Sequence, residues 1–298
     1  MYTLMNPFGC LHNKLSSMKY FPSCCLLLTF FLIINLDITA QKNSWQTLFN
    51  GKNLSGWDTY LGPPLDDSGK KLSEIPVGLN KDPKNVFTII DQEGEKVIRI
   101  SGENWGGIAT KKVYSNFHLQ LKFKWGTLAW GQKKNKKKDS GLLYFATGEN
   151  GADYGAWMRS QEFQIEEGNC GDYWGVAGGM QDIPSVKRPD SSFVYVANGT
   201  LNTFSANSPL GRHCVKQGDA ENASGKWNTV DLYCSGDTSV HVINGKVMMV
   251  LFHSSQLDNG KISPLTKGKI QIQSEGAEIF YKQIKLEPLT ALPENLIK

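Results

Sequence analysis

The sequence is poor in cysteine, modest in charge and without a long hydrophobic run. Six Cys occur in 298 residues, and only Cys170, Cys214 and Cys234 follow residue 40. No Cys-x-x-Cys pair or Cys/His spacing occurs, so nothing suggests a structural zinc site. Long helical periodicity is also missing. The apolar run Leu26–Leu36 is shorter than the roughly 20 residues that span a bilayer, which leaves the mature chain without a membrane span. The net charge is only +4. Nucleic-acid binding would need basic residues spread over a face with interleaved aromatics. The one basic run, Lys133–Lys138 with Asn135 inside, is expected to be a solvated loop. There is no GxSxG, no P-loop, no GxGxxG after a strand and no HExxH.

The beginning of the chain has a recognisable order. Lys19 precedes Leu26–Leu36, and Ile38-Thr39-Ala40 stands before Gln41. A positive segment, a short apolar segment and a small residue at a cleavage point form an export signal. Residues 1–17 have no part in that pattern, so Met18 is the expected start, with an upstream extension before it. Cys24 and Cys25 precede the apolar run, which is not where a lipid-anchored cysteine sits. The expectation is an exported protein, periplasmic or secreted, with residues 1–40 removed and residues 41–298 as one domain. Export permits disulfides. Cys170 and Cys214 lie in Gly-rich polar sequence, where a bridge would staple a long excursion. Cys234 alternates with strand-core residues and reads as a buried thiol.

Hydrophobic content of 40% and charged content of 20% are ordinary for a globular protein. Eight Trp are many for this length. Trp is mostly core, but in a β protein exposed Trp also stacks on sugars. Short strands separated by Gly, Asn, Asp and Pro fill the chain. Trp45–Trp57 is an opening strand and turn, and residues 58–85 read as a surface insertion. Val86–Ile90 and Val97–Ser101 form a hairpin across Asp91–Lys96. Phe117–Trp125 alternates strictly, placing His118, Gln120, Lys122 and Lys124 on a wet face. Ser140–Thr147 and Ser160–Glu166 follow. Residues 168–226 offer one clear strand, Phe193–Val196; loops of such length tend to be binding loops. Thr229–Ser235, Ser239–Ile243 and Lys246–His253 form a meander, with Asn244-Gly245 as a type I′ turn. Lys269–Ser274 and Glu278–Glu287 close the sheet. About twelve strands without a helix make two antiparallel sheets packed face to face the natural architecture.

The strand Glu162-Phe163-Gln164-Ile165-Glu166 carries most of the functional signal. Alternate residues share a face, so Glu162, Gln164 and Glu166 point together, opposite Phe163 and Ile165. Three long polar side chains in a row suit a wet or ligand-filled cleft, although polar alternation on an open strand is also common. The outer Cα atoms lie about 13 Å apart at roughly 3.3 Å per residue. Inward-leaning side chains reach the carboxyl separations of glycosidases, about 5–5.5 Å for retaining and about 6.5–9.5 Å for inverting enzymes. Trp157, Arg159, Asp172, Tyr173 and Trp174 stand nearby in sequence. Aromatics beside carboxylates suit a pyranose: a flat face to stack on, and acceptors for hydroxyls. His213 lies in the long loop and can titrate near neutrality. The candidate catalytic residues are Glu162, Glu166 and His213. The candidate substrate-binding residues are Gln164, Trp157, Arg159, Asp172 and Trp174.

The run Trp45–Trp57 (WQTLFNGKNLSGW) resembles the opening of the 3-keto-disaccharide hydrolase family. The resemblance continues through Asp139-Ser140-Gly141-Leu142, the Glu162–Gln164 strand, Lys226-Trp227-Asn228, Asn244-Gly245, and Gly268 to Gly276 (GKIQIQSEG). It implies a concanavalin A-like jelly-roll sandwich of two antiparallel sheets, exported from bacteria, and activity on glycosides oxidised at C3. It carries over Glu162, Gln164 and Glu275. Laminarinase-like relatives of the fold have an acidic residue between their two Glu; Gln164 stands there instead, which turns the reading away from ordinary glycan hydrolysis. A C3 ketone acidifies the C2 proton. A base can remove it, the enolate needs stabilising, and the C1 substituent leaves with help from an acid. Glu162 and Glu166 are the expected base and acid in either order, with His213 or Arg159 as the electrophile. A divalent metal held by Glu, Asp172 and His213 is a further option, but no ligand spacing compels it. The expected partner is a small carbohydrate. A lectin-like binding module is the alternative, since the fold hosts both.

Overall fold

The computed structural model describes residues 45–297. The expected leader and upstream extension lie outside them. Twenty strands follow in chain order. The first seven are β1 (Gln46–Thr47), β2 (Trp57–Leu61), β3 (Gly78–Leu79), β4 (Phe87–Gln92), β5 (Glu95–Ile100), β6 (Gly106–Thr110) and β7 (Phe117–Ala129). The next seven are β8 (Asp139–Thr147), β9 (Arg159–Glu166), β10 (Tyr173–Val176), β11 (Gly179–Lys187), β12 (Phe193–Tyr195), β13 (Thr200–Phe204) and β14 (His213–Cys214). The last six are β15 (Asn228–Ser235), β16 (Thr238–Ile243), β17 (Lys246–Asp258), β18 (Lys261–Pro264), β19 (Lys269–Ser274) and β20 (Ala277–Pro288). Among the described residues no helix is long and apolar enough to cross a membrane.

Two antiparallel sheets result, forming the expected jelly-roll sandwich. One has twelve strands, with the path β12-β11-β17-β16-β15-β7-β20-β5-β4 and β1, β13 and β18 attached at its sides. The other has eight, in the order β14-β10-β9-β8-β19-β6-β2-β3. The reason for two layers is the period of two. Phe163 and Ile165 on β9, Leu142 on β8 and Ile270 and Ile272 on β19 are fully buried. They pack in one cluster with Leu119, Leu121 and Phe123 of β7 and Val230 and Leu232 of β15. Burying each such side chain contributes about 1.5–3 kcal/mol. Even-numbered residues of β9 are left on the other face of the eight-stranded sheet, where the site forms.

Several local expectations hold. The β4–β5 hairpin pairs Phe87 with Ile100 and Gln92 with Glu95. The Asn244-Gly245 turn has φ of 49° and 80°, the left-handed pair that a type I′ turn requires.

Others need correction. Residues 168–226 hold five strands, β10 to β14, where the sequence suggested one. Four of the five run only two to five residues and their turns are rich in Gly, so the alternation is too short to read. Residues 58–61 belong to β2, inside the eight-stranded sheet, and only the loop beyond is an insertion. His118 does not face water: it is 8% exposed. It stacks on Tyr233 at 3.9 Å and bonds Asp231 at 2.7 Å and Glu287 at 3.1 Å. Lys124 is buried too, with Glu93 at 2.6 Å. Alternation identified the two faces of β7 but not what covers the second one.

The expected Cys170–Cys214 bridge is absent; both are buried free thiols, as is Cys234. Cys170 packs in the main core and Cys214 in a second cluster around Tyr173 and Ile183. Burial raises the pKa of all three thiols. Titration of residues 45–297 with a thiol reagent is therefore expected to find no reactive group in the native protein and three after denaturation. A single thiol after denaturation would mean a bridge.

Candidate functional site

The outer face of the eight-stranded sheet carries a cavity of ≈650 Å³, within the usual range of about 300–1,000 Å³ for small-molecule sites. Its floor is built by register. Leu143 of β8 pairs with Glu162 of β9, and Gly141 with Gln164. Ile272 of β19 pairs with Leu142, which sets Gln273 beside Gly141. Glu162, Gln164, Glu166, Asp139, Gln273 and Glu275 all line the cavity. Gly141 has a defined purpose here: a Cβ on it would collide with Oε1 of Glu162 and Oε1 of Gln273.

Loops raise the walls. The 62–72 loop is pinned by Gly62 N–H to Trp105 O at 2.9 Å and by Leu65 N–H to Asn104 Oδ1 at 3.0 Å. Trp105 stacks on Trp157 at 5.5 Å and 22°, and Tyr154 meets both edge-on. Trp157 is 3% exposed and donates its Nε1–H to Gly106 O. Trp157 thus backs the wall, while Trp105 and the exposed Tyr154 present its surface. Beside Tyr154, Arg212 pairs with Asp153 at 2.7 Å. Its guanidinium lies over Tyr154 and Trp174 at 5.7 and 5.5 Å.

The charges divide the cavity. Lys133 reaches in from its loop, bonds Asp139 and lies 3.6 Å from Glu166. Burial works against its charge, but Asp139 outweighs burial and holds the ammonium above its ordinary pKa. Glu166 also accepts from Asn169 Nδ2 in the turn that follows it. Burial pushes Asp139 up to about 6 against the pull of Lys133. Glu162 is 5% exposed. Burial first, then the neighbouring Asp139, push its pKa well above the usual carboxylate range, and Arg212 opposes this only in part. Glu275 is raised in the same direction by burial and by Asp139 and Glu162. One pocket thus holds a deep carboxyl at Glu162, its pKa raised by burial and Asp139, and a second carboxyl at Glu166 beside the Lys133 ammonium. Two carboxyls in unequal environments are what acid and base roles need.

The sequence-derived residues fall into two groups. Glu162, Gln164, Glu166, Trp157, Trp174 and Glu275 line the cavity; Arg159, Asp172 and His213 do not. Arg159 is three positions from Glu162, so the period of two turns it to the other face. There it bonds Ala177 O, Gln256 and Asp258. His213 bonds Asp172 at 2.9 Å and stacks on Trp174 at 4.2 Å. The pair buttresses Trp174 from outside the cavity, and Asp172 also accepts the Lys216 N–H. Neither His213 nor Arg159 lines the cavity, whereas Lys133 and Arg212 do. Lys133 was hidden in a run that reads as solvated, six residues before Asp139. Arg212 is one residue from His213, a step that changes its face. Trp105, Asp153 and Tyr154 have no local signal at all. Among the described residues, no group of three His, Cys, Asp or Glu side chains is placed to hold a metal ion.

The fold is a two-sheet antiparallel jelly roll whose smaller sheet carries a cavity lined by aromatic and carboxyl side chains. Residues 44–287 match the 3-keto-alpha-glucoside-1,2-lyase-like domain, and the chain belongs to that family. Among solved structures it is similar to a candidate glycosyl hydrolase from Parabacteroides distasonis ATCC 8503, at 21% identity and TM-score 0.46, over 83% of this chain and 100% of that one. It is similar to a β-glucanase from Bacillus licheniformis at 11% identity and TM-score 0.40, over 83% and 97% of the two chains. A carbohydrate-binding module, CBM66 from Bacillus subtilis, is 9% identical with TM-score 0.39, over 67% and 91%. No curated protein matches the sequence.

Proposed function

We propose that the cavity binds a glycoside oxidised at C3 and eliminates its C1 substituent. The observation that carries this reading is that two carboxyls on one strand face sit in unequal environments: Glu162 is buried, which raises its pKa, and Glu166 lies 3.6 Å from the Lys133 ammonium. The sugar ring lies against Trp105 and Tyr154. Glu166 removes the proton from C2. The electrons move to the C3 oxygen as an enolate, whose charge Lys133 stabilises. They return to form the C1=C2 bond as the C1–O bond breaks, and Glu162 protonates the departing oxygen. The products are an unsaturated 3-keto sugar and a free alcohol. Addition of water across C1=C2 gives the hydrolysis outcome. A plain glycoside lacks the acidic C2 proton and is expected to remain intact. The export signal expected from the sequence before residue 41 fits action outside the cytoplasm.

Incubation with 3-keto-trehalose or a methyl 3-keto-glucoside tests the reading, with the enone followed by ultraviolet absorbance. Turnover of the keto sugar and not of its parent is the expected result. Binding of the unmodified glycan without any turnover would instead make this a binding module. Lys133→Met is expected to lower kcat by about 10²–10³, the scale of losing one oxyanion donor. Partial rescue by a small primary amine would place the charge, not the stem, in that role; an unchanged kcat would remove Lys133 from the mechanism.

A further inference from the structure

The cavity floor holds an acceptor that no donor satisfies. Gln273 is 1% exposed, and its Oε1 is buried without a hydrogen-bond partner. Leaving such an atom unpaired is costly. Across the gap at Gly141 it shares space with Oε1 of Glu162: a single Cβ on Gly141 would collide with both oxygens. Both oxygens face the same small gap, and a hydrogen between them would satisfy the orphaned acceptor. A carboxylate has none to give, whereas a carboxylic acid has one. The surroundings favour the acid. Burial first, then Asp139 and Asp153, press Glu162 toward neutrality, while Arg212 and, for the ionised form, the Gln273 amide oppose them; Arg212 is paired with Asp153, and Lys133 with Asp139 and Glu166. Glu275, on the turn after β19, adds a further carboxyl to the same cavity.

We propose that Gln273 is a positioning residue for Glu162: its buried Oε1 accepts the proton that Glu162 carries and so fixes the orientation of the acid. Gly141 is the gap that permits this. The proposal rests on the reading of Glu162 as the acid, but the pairing itself is independent of catalysis. A side-chain amide suits this position because it offers an acceptor without adding another charge among the carboxyls of the cavity. After proton transfer the same amide can turn and present its N–H to the carboxylate, so both states of Glu162 find a partner.

Infrared difference spectra of the full chain test it. At neutral pH the wild-type minus Glu162→Gln difference spectrum is expected to show a carboxylic-acid carbonyl band, which separates Glu162 from Glu275. In Gln273→Met that band is expected to shift to higher frequency, because the hydrogen bond is lost. If the Met variant does not fold, Gln273→Leu is read in the same way. On a 3-keto-glucoside, Gln273→Met is further expected to move the basic limb of the kcat–pH profile down by about one pH unit, since the neutral acid loses its partner. Absence of the band, a band unmoved by the substitution, or a limb shifted upward would overturn the pairing; an upward shift would mean that Gln273 donates to an ionised Glu162. If no 3-keto-glycoside is turned over, the functional reading fails, while the infrared result still decides the pairing.

Discussion

Glu166→Gln is expected to abolish proton removal at C2, lowering kcat on a 3-keto-glucoside by about 10²–10⁴, the usual contribution of a positioned base. The argument is geometric. Glu166 lines the cavity at its charged end, 3.6 Å from Lys133. Asn169, three residues on, holds one of its oxygens. An amide at this position keeps the shape and loses the basicity. Exchange of the C2 hydrogen with deuterated solvent isolates the step: the wild type is expected to exchange it, and the variant is not. Wild-type exchange rates in Glu166→Gln would assign the base to another carboxylate of the cavity.

Glu162→Gln should separate the two halves of the reaction. The C2 proton is still removed and returned, so solvent exchange persists, while release of the C1 substituent falls by a similar factor of about 10²–10⁴. A variant that lost exchange and elimination equally would show that Glu162 is not the acid. The same substitution is expected to stabilise the protein above neutral pH. A carboxyl whose folded pKa is raised binds more protons folded than unfolded, so its stabilising contribution is present below the unfolded pKa. That contribution is lost as pH rises through the folded pKa. A neutral amide in place of Glu162 removes this penalty, and Tm rises by about 2–4 °C for each kcal/mol relieved. Asp139 follows the same rule in a lower window: its contribution declines between 3.8 and about 6. The site therefore holds groups that cost stability, as expected where environments are tuned for chemistry rather than for folding.

The sequence by itself determined the two-sheet sandwich, the hairpins and the shared face of Glu162, Gln164 and Glu166. All three are consequences of periodicity and turn chemistry, which act over a few residues. It also suggested a sugar site from aromatics close to carboxylates along the chain. Only the tertiary structure decided which of these residues meet. Arg159 and His213 are near Glu162 or Trp174, yet strand parity and stacking keep them out of the cavity. Lys133, Trp105, Asp153 and Arg212 come from separate loops, and no local pattern records that they converge. The missing disulfide follows the same logic: Cys170 and Cys214 are loop residues in sequence but belong to different packed clusters. The identity of acid and base was undecidable along the strand because Glu162 and Glu166 are chemically equal there. Deep burial of Glu162, and Lys133 beside Glu166, make them unequal.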